Sequence, residues 1–180
     1  MALSTVPLRM YFKTRTGLMT PDATISFMPY LTERRKRARV ISKRPGLTMS
    51  VNVLRPESRG NIHIKSSLPH DAPHINFNFL SSQMDNDTLL LALRKGRELM
   101  SAKPIADYVK EEIAPGIGLE SDEEILTWVR NTAETTYHPV GTCKMGNDTN
   151  AVVGADLKVH GLDGLRVADA SIMPTLTSGN

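Results

Sequence analysis

His138 is the side chain whose type and setting in this sequence best suit proton transfer. It lies in the segment YHPVGTCKMG, which covers residues 137–146. Pro139 favours an extended backbone at the residue before it, so the imidazole is expected to project from a rigid turn. Imidazole groups suit general acid–base catalysis near neutral pH. The residues alone leave a second interpretation open, because a histidine at the end of a helix can also cap free carbonyl groups.

Cys143 and the remaining histidines have weaker chemical contexts. Cys143 is the one cysteine of the chain, which excludes an internal disulfide and a metal site of clustered cysteines. No acid or amide that could orient it as a nucleophile is evident nearby, so a small buried thiol is the favoured interpretation. Among the other histidines, His70 and His74 have the i, i+4 spacing of metal ligands on one helix, but Pro73 lies between them. We therefore expect surface or structural roles for His63, His70, His74 and His160. The sequence therefore predicts no metal site.

The basic residues are concentrated in one segment. The formal net charge is +3, but residues 33–44 hold seven basic residues and one acidic residue. The rest of the chain has 15 basic and 18 acidic residues, a net charge of −3. No aromatic residues are interleaved with the basic ones, which argues against a nucleic-acid partner. We interpret the segment as a solvated loop or a short helix, with binding to an anionic surface as a weaker alternative.

The composition is that of a globular protein. The chain has 180 residues, of which 40% are hydrophobic and 23% charged, so extensive disorder is not expected. It contains neither a run of 18 apolar residues nor a secretory signal pattern. A cytoplasmic location is compatible with the single cysteine, and peripheral membrane association stays an open but unsupported alternative.

The secondary-structure elements that position these residues occur in an order typical of an α+β protein: strands, then helices, then a loop-rich region with strands. Alternating apolar residues predict strands over 24–30, 47–54, 61–65 and 74–80, with the second and third forming a hairpin. Helical periodicity then predicts a helix through about residue 100, capped by Asp85, Asn86 or Asp87. A second, short helix is expected from Pro104 to about Val109.

The C-terminal third changes from helix to loops. A capping box at Ser121 opens a helix through about Ala133, with Ile125, Trp128 and Val129 on its apolar face. Two short strands are expected over 156–160 and 165–168. The pair Gly116 and Gly118 is followed by serine at position 121, where a dinucleotide-binding motif needs its third glycine, so we interpret it as a plain loop.

The motifs become specific when they are taken together. The segment YHPVGTCKMG and the run AVVGADLKVHGLDGLRVADASIMPTLTSGN (151–180) closely resemble the C-terminal part of the GMC (glucose–methanol–choline) oxidoreductases. The run LRPESRGNIHIKSSLPHDAPHINFNFLS (54–81) resembles their substrate domain. The nearest resemblance is to bacterial choline-dehydrogenase-like and alcohol-dehydrogenase-like members. One departure is Gly154, where relatives commonly have aspartate.

The resemblance implies a fold and a division into two parts. The expected fold is α+β, with an antiparallel sheet backed by helices and an incomplete C-terminal piece of the FAD-binding domain. Residues 1–135 would form part of the substrate-binding domain. Residues 136–180 would form the segment that returns to the FAD domain and carries the active-site motifs.

The resemblance also implies site residues and partners. His138 would be the catalytic base that accepts the hydroxyl proton of an alcohol while hydride passes to FAD, and Asn180 would orient the substrate oxygen. Asp169 and Ala170 would lie near the bound FAD. The expected partners are a small-molecule alcohol, which could be choline, an aliphatic alcohol or a sugar, and an electron acceptor such as a quinone. Dehydrogenase and oxidase activities both stay open.

The glycine-rich motif that holds the ADP moiety in the family is missing from this sequence. We therefore expect the chain to be a fragment of an FAD-dependent enzyme, inactive in isolation and unable to retain FAD stoichiometrically. The alternative hypothesis is a non-catalytic remnant of the substrate domain that binds a small molecule or a protein partner.

Overall fold

The computed structural model describes residues 5–35 and 38–178. These residues form seven strands: β1 Leu8–Phe12, β2 Ala23–Met28, β3 Thr32–Arg35, β4 Ala38–Ile41, β5 Thr48–Val53, β6 Asn61–His63 and β7 His74–Asn76. Two α-helices, α1 Gln83–Ser101 and α2 Asp122–Thr132, follow, with 3₁₀ turns at Ala106–Tyr108 and Ala170–Ile172. The named strands pair antiparallel, which confirms the α+β class.

The chain divides into two compact units. The first consists of Met1–Leu54 and Asn86–Val129, and the second of Arg55–Asp85 and Arg130–Asn180. The functional division predicted from the sequence, at residue 135, stays a prediction.

The first unit is built on the three-stranded sheet β1-β2-β5. Strand β2 lies in the middle, where Ala23 and Ile25 are buried together with the polar residues Thr24 and Ser26. Its register places Ile25 opposite Met10 on β1 and Val51 on β5. The hairpin predicted between 47–54 and 61–65 is therefore wrong, because β5 pairs with β2 and β6 pairs with β7.

The basic segment also differs from its predicted loop or short helix. Strands β3 and β4 pair as a hairpin in which Thr32 lies opposite Ile41 and Glu33 opposite Val40. Outside the strands, Ser42 donates its amide to Leu31 O at 2.9 Å and its hydroxyl to the Glu33 carboxylate. Backbone pairing does not require apolar side chains, and charged residues are common on exposed strands. The charge of the segment therefore did not exclude a strand.

The cap of α1 is a residue other than the three predicted. The helix begins at Gln83, and Ser82 Oγ accepts a hydrogen bond from Met84 N at 3.2 Å. Asp85 and Asn86 are thus inside the first turn and almost fully buried. Several residues in a row here have side chains that can cap a helix, so the sequence pattern did not identify one of them.

The capping box of α2 is confirmed. Ser121 Oγ accepts from Glu124 N at 3.3 Å, while Ser121 N donates to Glu124 Oε2 at 3.1 Å. Hydrogen bonds from the Ser121 hydroxyl and amide hold the pKa of Glu124 below its ordinary value. Ile125 and Val129 are buried, as the periodicity predicted. The short helix predicted from Pro104 is reduced to the 3₁₀ turn Ala106–Tyr108.

The second unit contains shorter strands than the sequence predicts. Strands β6 and β7 pair over three residues each, with Ile62 opposite Ile75. Strand β7 ends at Asn76 because Asn78 and Leu80 adopt positive φ angles, 50° and 60°, which a strand cannot contain. The predicted strands 156–160 and 165–168 are likewise wrong. They are reduced to isolated bridges, such as Lys158 with Arg166, between turns with positive φ. No helix in the described ranges is both long and apolar enough to cross a membrane.

The first unit contains a buried, ionised carboxylate, that of Asp22. Its carboxylate accepts hydrogen bonds from Thr14 N at 2.8 Å, Thr14 Oγ1 at 2.6 Å and Arg15 Nη2 at 3.4 Å. Burial acts to raise the pKa of Asp22, but the hydrogen bonds from Thr14 and Arg15 together outweigh it, so the pKa lies below its ordinary value. A lowered pKa stabilises the folded chain above the ordinary aspartate pKa, and this contribution is lost as pH falls through the folded value.

We expect Asp22→Asn to lower the free energy of unfolding by about 1–2 kcal/mol at pH 7, because an amide accepts fewer of these bonds. The difference from the unsubstituted protein should shrink at a second, acidic pH below the ordinary aspartate pKa, because the stabilisation is lost as pH falls through the lowered folded pKa of Asp22. Urea unfolding at both pH values measures this. The matched control is Asp163→Asn, since Asp163 is exposed and its loss should change little. An equal deficit for Asp22→Asn at both pH values would contradict the interpretation.

Candidate functional site

The loop after α2 turns sharply at the candidate base. Tyr137 has a φ of 63°, and its amide donates to Thr135 Oγ1 at 3.0 Å. His138 follows directly, before Pro139, and Gly141 adopts a φ of 90° that favours glycine. Two backbone reversals within five residues thus surround His138, in agreement with the turn predicted there.

His138 is exposed, and its ring is available for chemistry. Within residues 5–35 and 38–178, neither ring nitrogen of His138 has a hydrogen-bond partner. The alternative in which this histidine caps helix carbonyl groups therefore has no support among the described contacts. A histidine that neither packs in a core nor caps a helix has both nitrogens available to a ligand.

Backbone hydrogen bonds join the His138 loop to the segment 169–173. Cys143 N donates to Ser171 O at 3.0 Å, and Met145 N donates to Ile172 O at 2.8 Å. An added Cβ at Gly141 would lie 3.5 Å from Met173 O. The structure therefore brings two predicted groups of site residues, at His138 and at Asp169–Ala170, onto two backbone segments that contact one another.

Asp169 and Ala170 begin the 3₁₀ turn in that second segment. The Asp169 carboxylate accepts from Ser171 N at 2.8 Å and from the Ser171 hydroxyl. These bonds, the one from the hydroxyl first, lower the pKa of Asp169, so it is ionised at neutral pH. In the part of the chain that the structure describes, the Ala170 amide donates to no acceptor. An ionised acceptor and an available amide donor thus lie side by side.

This donor set fits the sugar and linker part of a dinucleotide cofactor better than a bare phosphate. A carboxylate accepts hydrogen bonds from hydroxyl groups, whereas it repels a phosphate. The Ala170 amide could donate to either group. Among the described residues, Asp169 and Ala170 are thus candidates to hold part of FAD.

Asn180, the second predicted catalytic residue, lies outside the described residues. The described residues end at Ser178, and Leu176 and Ser178 contact an arginine that the sequence analysis did not select. Arg55 donates from Nη1 to Leu176 O at 3.2 Å and from Nη2 to Ser178 Oγ. One feature of the sequence could have identified Arg55. It lies beside Pro56, at the start of the run 54–81 that resembles the GMC substrate domain.

The remaining candidates have structural or surface positions. His160 Nε2 donates to Gly146 O at 3.0 Å, which confirms a structural role. Cys143 is half-buried, less than the buried thiol that was expected. The side chains of His63, His70 and His74 are exposed. Among the described residues, no group of three or more His, Cys, Asp or Glu side chains could hold a metal ion.

The fold and the site define an α+β protein with an exposed imidazole on a loop that is hydrogen-bonded to the segment 169–173. A family model described as GMC oxidoreductase matches residues 56–180, more than half of the chain. The chain belongs to the GMC oxidoreductase family, and the prediction from the sequence motifs is confirmed.

Curated relatives include two kinds of oxidoreductase. The chain is 41% identical over 170 residues to an oxygen-dependent choline dehydrogenase of Escherichia coli (strain S88), a match that covers 94% of this chain and 30% of the relative. It is 43% identical over 160 residues to an alcohol dehydrogenase [acceptor] of Pseudomonas putida, covering 89% and 29%. The chain thus spans under a third of the length of these relatives.

Solved structures give the same result for the fold. A pyridoxine 4-oxidase from Mesorbium loti matches with a TM-score of 0.82 and 27% identity, over 95% of this chain and 34% of that one. An FAD-dependent oxidoreductase from Chaetomium thermophilum matches with a TM-score of 0.75 and 31% identity, over 89% and 25%.

Proposed function

We propose that this chain is the substrate-binding part of a longer FAD-dependent oxidoreductase that acts on the CH–OH group of a small-molecule alcohol. Residues 1–135 would belong to the substrate-binding domain, and residues 136–180 would carry the active-site motifs to the FAD domain. The observation that carries the proposal is the exposed His138 ring, which has no hydrogen-bond partner among the described residues and lies on a loop that is hydrogen-bonded to the segment 169–173. The curated relatives, which are choline and alcohol dehydrogenases, support the reaction class.

His138 acts as the general base in this reaction. An alcohol carbon releases hydride readily only when its oxygen loses its proton, so the imidazole accepts the hydroxyl proton as the C–H bond breaks. The protonated ring then stabilises the negative charge that remains on the oxygen until the carbonyl bond forms. FAD, when bound, supplies the acceptor for the hydride. The alcohol thus loses one proton to His138 and one hydride to the cofactor, and it becomes a carbonyl compound.

The other proposed residues bind and orient. The Asn180 side-chain amide donates a hydrogen bond to the substrate oxygen, which aligns the C–H bond that breaks. Asp169 and Ala170 would hold part of the FAD through the carboxylate and the backbone amide. The electrons removed from the alcohol would pass finally to a quinone or another electron acceptor.

The test is anaerobic mixing of the flavin-loaded full-length protein with a panel of choline, aliphatic alcohols, a sugar and pyridoxine. We expect at least one of these to bleach the visible absorbance of oxidised flavin. Reoxidation by a quinone and by oxygen, compared in the same enzyme, separates a dehydrogenase from an oxidase. A full-length protein that purifies without flavin, or whose flavin no alcohol bleaches, would overturn the proposal and favour the non-catalytic alternative.

A further inference from the structure

The basic segment 33–44 ends beside the interhelix loop, residues 106–119 between α1 and α2. Arg44 Nη2 lies 3.5 Å from Glu111 Oε1, and both side chains are exposed. Together the two segments contain eight basic and four acidic residues, a net charge of +4. Because Arg44 and Glu111 form an ion pair, the end of the basic segment and the interhelix loop belong to one continuous surface within the first unit.

Large apolar side chains are exposed on both segments that meet at this ion pair. Ile41, near the end of the basic segment, is 66% exposed. On the interhelix loop, Tyr108 is 86% exposed, Ile113 52% and Ile117 79%. One exposed apolar residue needs no explanation, but several on adjoining segments are typical of an interaction site.

Hydrogen bonds from Arg97 fix the part of the loop that carries the two isoleucines. Arg97 Nε donates to Glu112 Oε2 at 3.1 Å, and Nη2 donates to Gly116 O at 3.0 Å. Gly116 N donates in turn to Glu112 Oε1 at 3.2 Å. Ile113 and Ile117 directly follow these two residues in the chain. Their backbone is therefore held in place, and a large inward rotation of the loop would break these hydrogen bonds.

Two lysines on the same surface have no carboxylate partner. Lys43 and Lys110 are exposed, and within residues 5–35 and 38–178 neither forms an ion pair. Among the acids of the loop, Glu111 and Glu112 are each paired with an arginine, whereas Asp107 is exposed and forms no ion pair with the described residues. The surface therefore combines an excess of positive charge with exposed isoleucine and tyrosine side chains.

We propose that residues 41–44 and the interhelix loop bind the surface of an anionic lipid bilayer. Lys43 and Lys110 lie against the anionic headgroups, while Tyr108, Ile113 and Ile117 enter the boundary between headgroups and acyl chains. An acidic protein would also attract the lysines, but it would need a cavity shaped to each apolar side chain, which a bilayer does not. The inference does not depend on the proposed oxidoreductase activity.

The experiment measures co-sedimentation of the full-length protein with two kinds of vesicle. One kind is pure phosphatidylcholine, and the other is phosphatidylcholine mixed with phosphatidylglycerol. We expect the apparent affinity for the mixed vesicles to be about tenfold higher, because several basic residues gain from the negative surface potential. Added salt should weaken this binding, since it screens the attraction between the exposed charges and the headgroups.

Two double variants test the two components of the surface separately. Lys43→Gln combined with Lys110→Gln should weaken binding to the mixed vesicles about tenfold, because two cations are lost. Ile113→Ser combined with Ile117→Ser should weaken it by a similar factor of about ten, because less apolar surface leaves water. All four side chains are exposed, so circular dichroism should show an unchanged fold in both variants.

The matched controls are Lys65→Gln and Ile64→Ser. Both residues are exposed, and Ile64 is 87% exposed, but they belong to the second unit. Their substitution should leave the affinity for the mixed vesicles within about twofold of the unsubstituted protein. Hydrogen–deuterium exchange provides a readout on the unsubstituted protein. Mixed vesicles should slow exchange in peptides from residues 106–119 and leave peptides from residues 59–65 unchanged.

The outcomes separate a membrane from other partners. Equal binding to both kinds of vesicle, unchanged exchange over 106–119, or control variants as weak as the two double variants would overturn the proposal. Isoleucine substitutions that leave vesicle binding unchanged, together with tight binding of polyglutamate to the lysines, would indicate an acidic protein partner instead. Alcohol-dependent flavin reduction should be the same in all these variants, so loss of vesicle binding would leave the proposed function standing.

Discussion

His138→Ala in the flavin-loaded full-length enzyme should slow the reduction of flavin by alcohol by ~100-fold or more. The physical reason is that without a base the hydroxyl proton must pass to water while hydride leaves the carbon. His138 suits this role because its ring is exposed and, within residues 5–35 and 38–178, has no hydrogen-bond partner. Stopped-flow absorbance under anaerobic conditions measures the rate directly. Added imidazole should restore part of the rate, since a small free base can enter the space that the side chain leaves.

The matched control for this substitution is His70→Ala. His70 is also exposed but lies in a turn, at a distance along the chain from the HPVGT motif. Its replacement should leave both flavin reduction and flavin binding unchanged. If the His138→Ala enzyme reduces flavin at the rate of the unsubstituted enzyme, His138 is not the base. A slow enzyme that imidazole does not rescue and that has also lost its flavin would indicate a structural role instead.

Gly60→Ala should lower the free energy of unfolding by about 3 kcal/mol, the upper part of the usual cost of overpacking. A Cβ at Gly60 would lie 2.1 Å from Asn76 O and 2.7 Å from Phe77 O. Both are backbone atoms at the end of β7, so no side-chain rotation relieves the overlap. The β6–β7 pair or the Arg55–Gly60 loop must therefore shift. Chemical denaturation followed by circular dichroism measures the loss.

Gly96→Ala provides a control with the opposite expected sign. Gly96 lies inside α1, and a Cβ added there would have no other atom within 4 Å. Alanine stabilises a helix interior by about 0.5–1 kcal/mol relative to glycine, so this variant should unfold at a higher denaturant concentration. Equal effects of the two substitutions would contradict the steric argument at Gly60.

The features that could be predicted from the sequence depend on residues close together in the chain. Ser121 and Glu124 are three positions apart, so their capping box was visible as a pattern and forms as expected. Ile25 and Val51 lie in alternating runs that predicted strands β2 and β5. The motifs around His138 were specific enough to indicate the GMC oxidoreductase family, and the family match over residues 56–180 confirms it.

The features that the sequence did not reveal depend on the choice between distant partners. Strand β5 could pair with β2 or with β6 on the basis of alternation alone, and only the packed sheet selected β2. The bond from Cys143 N to Ser171 O spans 28 residues, and the bond from Arg55 to Ser178 spans 123. A backbone amide or a guanidinium can donate a hydrogen bond to many different acceptors equally well. The partner is thus set by which segments the fold brings together, whereas a cap or an alternating strand is set by neighbours in the chain.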